Sequence, residues 1–153
     1  MKQSYNIVLE SSSGSGNLNN KQFYVDWGRL PDGCYKVSFV MNCAVGTTVN
    51  TYVANVFCDL GQNNSTIMAT TNLSTPRTGF LGLLQWSGTG ANYNLYAGTN
   101  TNVPIYISQK PSNNLFYVEI HQNTDPYFTN VPNAVLGAWT LVLTFEKQPE
   151  ALL

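Results

Sequence analysis

An all-β fold of antiparallel strands in two packed sheets is the class this sequence predicts, and three observations lead to it. Apolar and polar residues alternate with a period of two in segment after segment, no segment keeps a helical period through three turns, and Gly, Pro and Asn punctuate the chain throughout. With 153 residues the chain is the size of one domain, long enough to bury a core without disulfides or metals. Residues 1–153 are therefore expected to form a single domain.

The elements follow in order. Residues 5–10 read as a first strand, and SSSGSGNLNN as a polar loop. In KQFYVDW, Phe23, Val25 and Trp27 face one way, Tyr24 and Asp26 the other. Leu30-Pro31-Asp32-Gly33 has the chemistry of a tight turn: Pro presets φ, Asp bonds to nearby backbone and Gly takes a positive φ. YKVSFVM follows with Tyr35, Val37, Phe39 and Met41 on one face. Further strands are expected over 52–60, 67–70, 80–86, 93–97, 103–108 and 115–122, joined by the polar loops GQNNST, TNLSTPRT, SGTGAN and GTNTN. The segment 125–133 carries Pro126 and Pro132 around Tyr127 and Phe128, a stiff loop with two aromatic rings and a candidate contact surface. A last strand alternates Trp139, Leu141, Leu143 and Phe145 with Thr140, Val142, Thr144 and Glu146. The predicted core includes Phe23, Val25, Trp27, Val37, Phe39, Leu141, Leu143 and Phe145. Nine or ten short strands at this length favour a jelly roll over other Greek-key sandwiches.

Charged residues make up only 10% of the chain, against roughly 25% in ordinary globular proteins. The formal net charge is -1, with no cluster of Lys and Arg of the kind that binds nucleic acid or an anionic membrane. Direct nucleic-acid binding is not expected. No apolar run reaches the roughly 18 to 20 residues of a membrane span, and MKQSYNIVLESSSGSG lacks the apolar stretch of a signal peptide. A cytosolic start without membrane insertion is the expectation, and the formal glycosylation sequons at Asn63, Asn64 and Asn72 carry little weight. A weakly charged exterior rich in Tyr, Asn and Thr lacks the repulsion that keeps monomers apart. It suits a surface buried against protein neighbours, with homo-oligomers expected, or one that faces sugar.

The supply of reactive groups is thin. His121, the single histidine, shares a strand face with Glu119 in FYVEIHQ, so an acid/base couple is conceivable, but a solvent-side or interface pair is the commoner origin of this spacing. Cys34, Cys43 and Cys58 match no metal-ligand spacing and read as free, partly buried thiols. The acids are scattered singly, unlike a glycosidase pair or a calcium loop, and SGSG and SGTG lack the Lys and helix of a phosphate loop. No enzyme, metal or cofactor is expected. Trp27, Trp86 and Trp139 could stack on sugars, but Trp27 and Trp139 fall on the apolar phase of their strands.

Asp26, Arg29 and Asp32 crowd into FYVDWGRLPDGCY, where a pair between Asp26 and Arg29 would pin the corner between two strands. This corner, with Leu9-Glu10-Ser11 before it, Tyr24 to Trp27 and Leu30-Pro31-Asp32-Gly33-Cys34-Tyr35 within it, and GAWTLVLTFEK near the end, resembles small jelly-roll structural proteins of large eukaryotic DNA viruses and of virophage- or polinton-like viruses. The likeness covers the first quarter of the chain and the last strand, and its motifs are structural. It implies a minor capsid or penton-type protein with other capsid proteins as partners, located in the virion after assembly in the host cytoplasm or nucleus. Two other readings stay open: a carbohydrate-binding β-sandwich used for attachment, and a trimeric ligand resembling the TNF and C1q proteins.

Overall fold

The computed structural model describes residues 2–45, 51–60, 79–87, 94–96, 105–122 and 136–149. Its strands are β1 (Ser4–Glu10), β2 (Ser15–Asn17), β3 (Asn20–Tyr24), β4 (Cys34–Val45), β5 (Thr51–Cys58), β6 (Phe80–Ser87), β7 (Asn94–Tyr96), β8 (Ile105–Ile107), β9 (Leu115–Gln122) and β10 (Leu136–Gln148). They pair in the order β1-β10-β4-β7-β6-β5-β9-β3-β2, with β8 also on β4. Every pairing is antiparallel.

Among the described residues β7 meets β6 at one pair, Gln85 opposite Tyr96, and the path bends there into two layers. The layers face each other. Phe23 on β3 packs edge-on against Trp139 on β10 at 5.8 Å, and Trp27 meets Phe145 on β10 at 5.7 Å. An antiparallel β-sandwich is the result.

The period-two pattern explains which residues lie between the layers. Registers carry Leu9, Leu141 and Met41 in one row and Ile7, Leu143 and Phe39 in the next. All eight residues predicted for the core are buried in one apolar cluster, and each large side chain so buried contributes about 1.5 to 3 kcal/mol.

The strand expected through KQFYVDW is shorter than its alternation. It ends at Tyr24, and Trp27–Arg29 form a 3-10 turn. The reason is local: the Asp26 carboxylate accepts a hydrogen bond from the Gly28 amide at 3.1 Å, an alternative to the strand ladder that short polar side chains offer. Trp27 nevertheless stays in the core at 2% exposure. The loop expected over SSSGSGNLNN contains structure too, a 3-10 turn at Ser11–Ser13 and then β2 paired back on β3. The strand expected over 67–70 lies outside the described residues.

Candidate functional site

The corner at residues 25–35 is held by neighbours rather than left open. Val25 donates its amide to the Asn114 carbonyl at 2.8 Å, and the Trp27 indole donates to the Asn113 carbonyl at 3.0 Å. Arg29 and Asp26 form the expected pair at 3.7 Å, but their side chains are 89% and 63% exposed, so the pair adds only about 0 to 1 kcal/mol. Asp32 does not bond to local backbone as expected. It pairs instead with the ammonium of Lys110 at 3.2 Å, and that ammonium also donates to the Leu30 carbonyl at 2.7 Å. One cation thus ties the turn to the segment before β9. Gly33 has the expected positive φ, +144°. The Tyr35 hydroxyl donates to the Pro31 carbonyl, and burial, with Tyr5 and Asp32 nearby, holds its phenol above the usual range. The crowded charges brace a joint.

Glu119 and His121 meet at 2.8 Å between Oε2 and Nε2. Sequence spacing placed them on the outer face of β9, and they are there, but the imidazole is buried: its side chain is 4% exposed, that of Glu119 33%. Of the two expected origins, a solvent-side or an interface pair, the buried imidazole disagrees with the first. Register puts Asn55 of β5 opposite His121 and Phe57 opposite Glu119, and both are buried as well. The Phe57 ring stands edge-on to the imidazole at 5.2 Å. Asn55 Nδ2 is buried without a hydrogen-bond partner among the described residues. Sequence reading missed Asn55 and Phe57 because the contacts that bury this outer patch leave no trace in the alternation of β5.

The cysteines are all buried, and none is in a disulfide. Burial pushes the Cys43 thiol up to about 12 and the Cys58 thiol higher still, so neither is a ready nucleophile. Trp27 and Trp139 are spent on the core, the latter donating its indole N–H to the Leu18 carbonyl at 2.8 Å. Tyr127 and Phe128 lie outside the described residues. Among the described residues no cluster of three or more His, Cys, Asp or Glu could hold a metal ion.

What the described surface offers is contact area. Val8, Val142 and Val40 form one row across β1, β10 and β4 on the outside of the sandwich, with Val8 and Val40 56% and 57% exposed. Asn6, Thr144 and Ser38 form the uncharged row beside it. No protein-family model matches the chain, and no curated protein is significantly similar to it.

Proposed function

We propose that the chain is a jelly-roll structural protein of a virus, a minor capsid or penton-type component of the virion held in place by contacts with other capsid proteins. The observation that carries this reading is how the segments of the viral resemblance meet in space. Ser11, closing Leu9-Glu10-Ser11, accepts the amide of Trp139 in GAWTLVLTFEK at 3.0 Å. Trp27 and Tyr35, from the two motifs of the corner, both pack edge-on against Phe145 of that last segment, at 5.7 and 5.8 Å. Motifs far apart in sequence make one joint, as expected if they were kept together for a shared fold.

The nesting of the strands supports a jelly roll. With the short β2 and β8 set aside, the first strand pairs with the last, the second with the next to last, and so inward: β1 with β10, β3 with β9, β4 with β7, β5 with β6. A long antiparallel ribbon wound on itself has this nesting. The surface fits a protein-facing role, since Tyr106 in the layer of the valine row and Tyr24, Leu115 and Tyr117 in the opposite layer are exposed, on a chain with little charge to repel neighbours.

Mass spectrometry and antibody labelling of purified particles test the proposal, with the chain expected at fixed stoichiometry in the shell. Tyr127→Ala with Phe128→Ala is expected to leave the fold intact and abolish incorporation, and the parent to give no hits on a glycan array. Absence from particles, together with reproducible binding to one glycan class, would replace the capsid reading with attachment.

A further inference from the structure

We infer that β1 is a pairing edge for a second copy of this chain, joining two molecules through an antiparallel β1–β1 contact centred on Asn6. This goes beyond the capsid reading and does not depend on it.

The edge is open. β1 ends the strand order and pairs with β10 on one side, with no strand on its other side among the described residues. The direction of its backbone groups follows from one bond: the Lys147 amide donates to the Gln3 carbonyl at 2.9 Å. Gln3 and Lys147 are opposite each other in the β1–β10 register, so odd-numbered residues of β1 bond to β10. The N–H and C=O groups of Ser4, Asn6 and Val8 therefore point outward. Beside them runs a groove of about 670 Å³ whose far wall is Tyr24, Val25, Asp26, Arg29 and Leu30.

Sheet edges are ordinarily guarded by lysine, proline or a bulge. Between Gln3 and Leu9 this one has no charge and no proline, and its register with β10 is unbroken. The charges stand at the two ends, Lys2 and Glu10, whose even numbers put both on the outer face.

That placement selects the occupant. An antiparallel pair in which Asn6 faces Asn6 of the second copy sets Ser4 opposite Val8, and each of these pairs can exchange both of its outward N–H and C=O groups. The same register sets Lys2 opposite Glu10 of the second copy, and Glu10 opposite Lys2. Sliding by one residue in either copy moves the ladder groups out of reach, and sliding by two separates the charges. On the inner face, Tyr5 comes opposite Ile7 of the second copy, and both are only partly buried against the core. The Lys2 ammonium, held by Glu146 at 3.0 Å, remains 83% exposed and keeps donors for a further carboxylate.

Sedimentation velocity on the full chain tests this with Lys2→Glu, Glu10→Lys and Asn6→Pro. The parent is expected to dimerise. Each charge reversal sets like charges at both ends and should weaken the dimer about tenfold or more. Asn6→Pro removes an outward N–H while sparing the β10 ladder and should abolish pairing, with circular dichroism reporting an intact sheet. The decisive sample is an equimolar mixture of the Lys2→Glu and Glu10→Lys chains: opposite charges then meet at both ends, and the dimer should return. A monomeric parent, a dimer indifferent to all three substitutions, or a mixture no tighter than its components overturns the inference. Absence of the parent chain from purified particles, with these results intact, would overturn the capsid reading alone.

Discussion

Gly82 of β6 lies against the ring of Phe39 of β4 so closely that a Cβ on the glycine would stand 2.4 Å from Cζ. The two residues belong to opposite layers of the sandwich, and the ring fills the space that the missing side chain leaves. Packed interiors give little at such a contact. Gly82→Ala is therefore expected to destabilise the fold by about 1 to 3 kcal/mol through overpacking. Phe39→Leu in the same chain should recover part of the loss, read as a positive coupling in urea unfolding of the four variants of the cycle. Additive effects would show that the two residues do not share this space.

Truncating the same ring tests the phase of β4. Phe39 is 2% exposed, so Phe39→Ala should lower stability by about 3 to 5 kcal/mol. A melting curve like that of the parent would contradict the packing of β4 against β6.

Gly33 poses a different question because its constraint is in the backbone. At φ +144° a side chain is strained whatever room it has, at a cost of about 1 to 3 kcal/mol. The nearest atom to an added Cβ is Lys147 Cε at 2.9 Å, the far end of a flexible chain that can swing aside. Gly33→Val should thus be destabilising, and a Lys147→Ala background should not relieve it. Relief by that background would move the cause from backbone to crowding.

Cys43 ties stability to alkaline pH. Its thiol is raised by burial from an ordinary value of 9.0 to about 12 in the folded chain. Above 9.0 the unfolded state therefore holds fewer protons than the folded one, and stability is lost as pH rises through that window. Cys43→Ala should flatten the fall of the melting temperature across it, whatever its effect at neutral pH. The thiol should also resist labelling until the chain unfolds, and rapid labelling of the native protein at neutral pH would refute its burial.

Much of the sandwich was legible because burial on one face writes itself as alternation. Phe23, Val37, Leu141 and Phe145 were placed by phase alone, and so was Trp27, although it sits on a turn. The end of β3 was not legible: Val25 and Asp26 continue the alternation, and only the bond from Gly28 to Asp26 reveals that the backbone has already left the ladder. Strand order was equally hidden, since nothing in residues 4–10 states that they lie beside 140–146. His121 marks a third limit. Alternation grouped it with Tyr117 and Glu119, yet Tyr117 is 41% exposed and His121 3%. A period of two assigns a face, and tertiary contacts decide which parts of that face are covered.

Ser11 offers the sharpest test of the joint between the two ends of the chain. The β10 register shifts between Leu136 and Trp139, where the strand departs from regular pairing with β4. The Trp139 amide, on the side of β10 that faces β1 and one residue beyond the last β1 pair, bonds to Ser11 Oγ at 3.0 Å, in a buried setting where Ser11 is 4% exposed. Ser11→Ala keeps the packing almost unchanged but strands a buried donor, a loss of about 1 to 3 kcal/mol. Ser11→Thr retains the hydroxyl and should stay closer to the parent than Ser11→Ala does. Chemical denaturation ranks the three proteins, and hydrogen exchange adds a local readout, since the Trp139 amide should lose protection in the alanine variant more than those of Leu141 and Leu143. Equal protection at all three positions would mean that the amide finds another acceptor and that Ser11 does not close this joint.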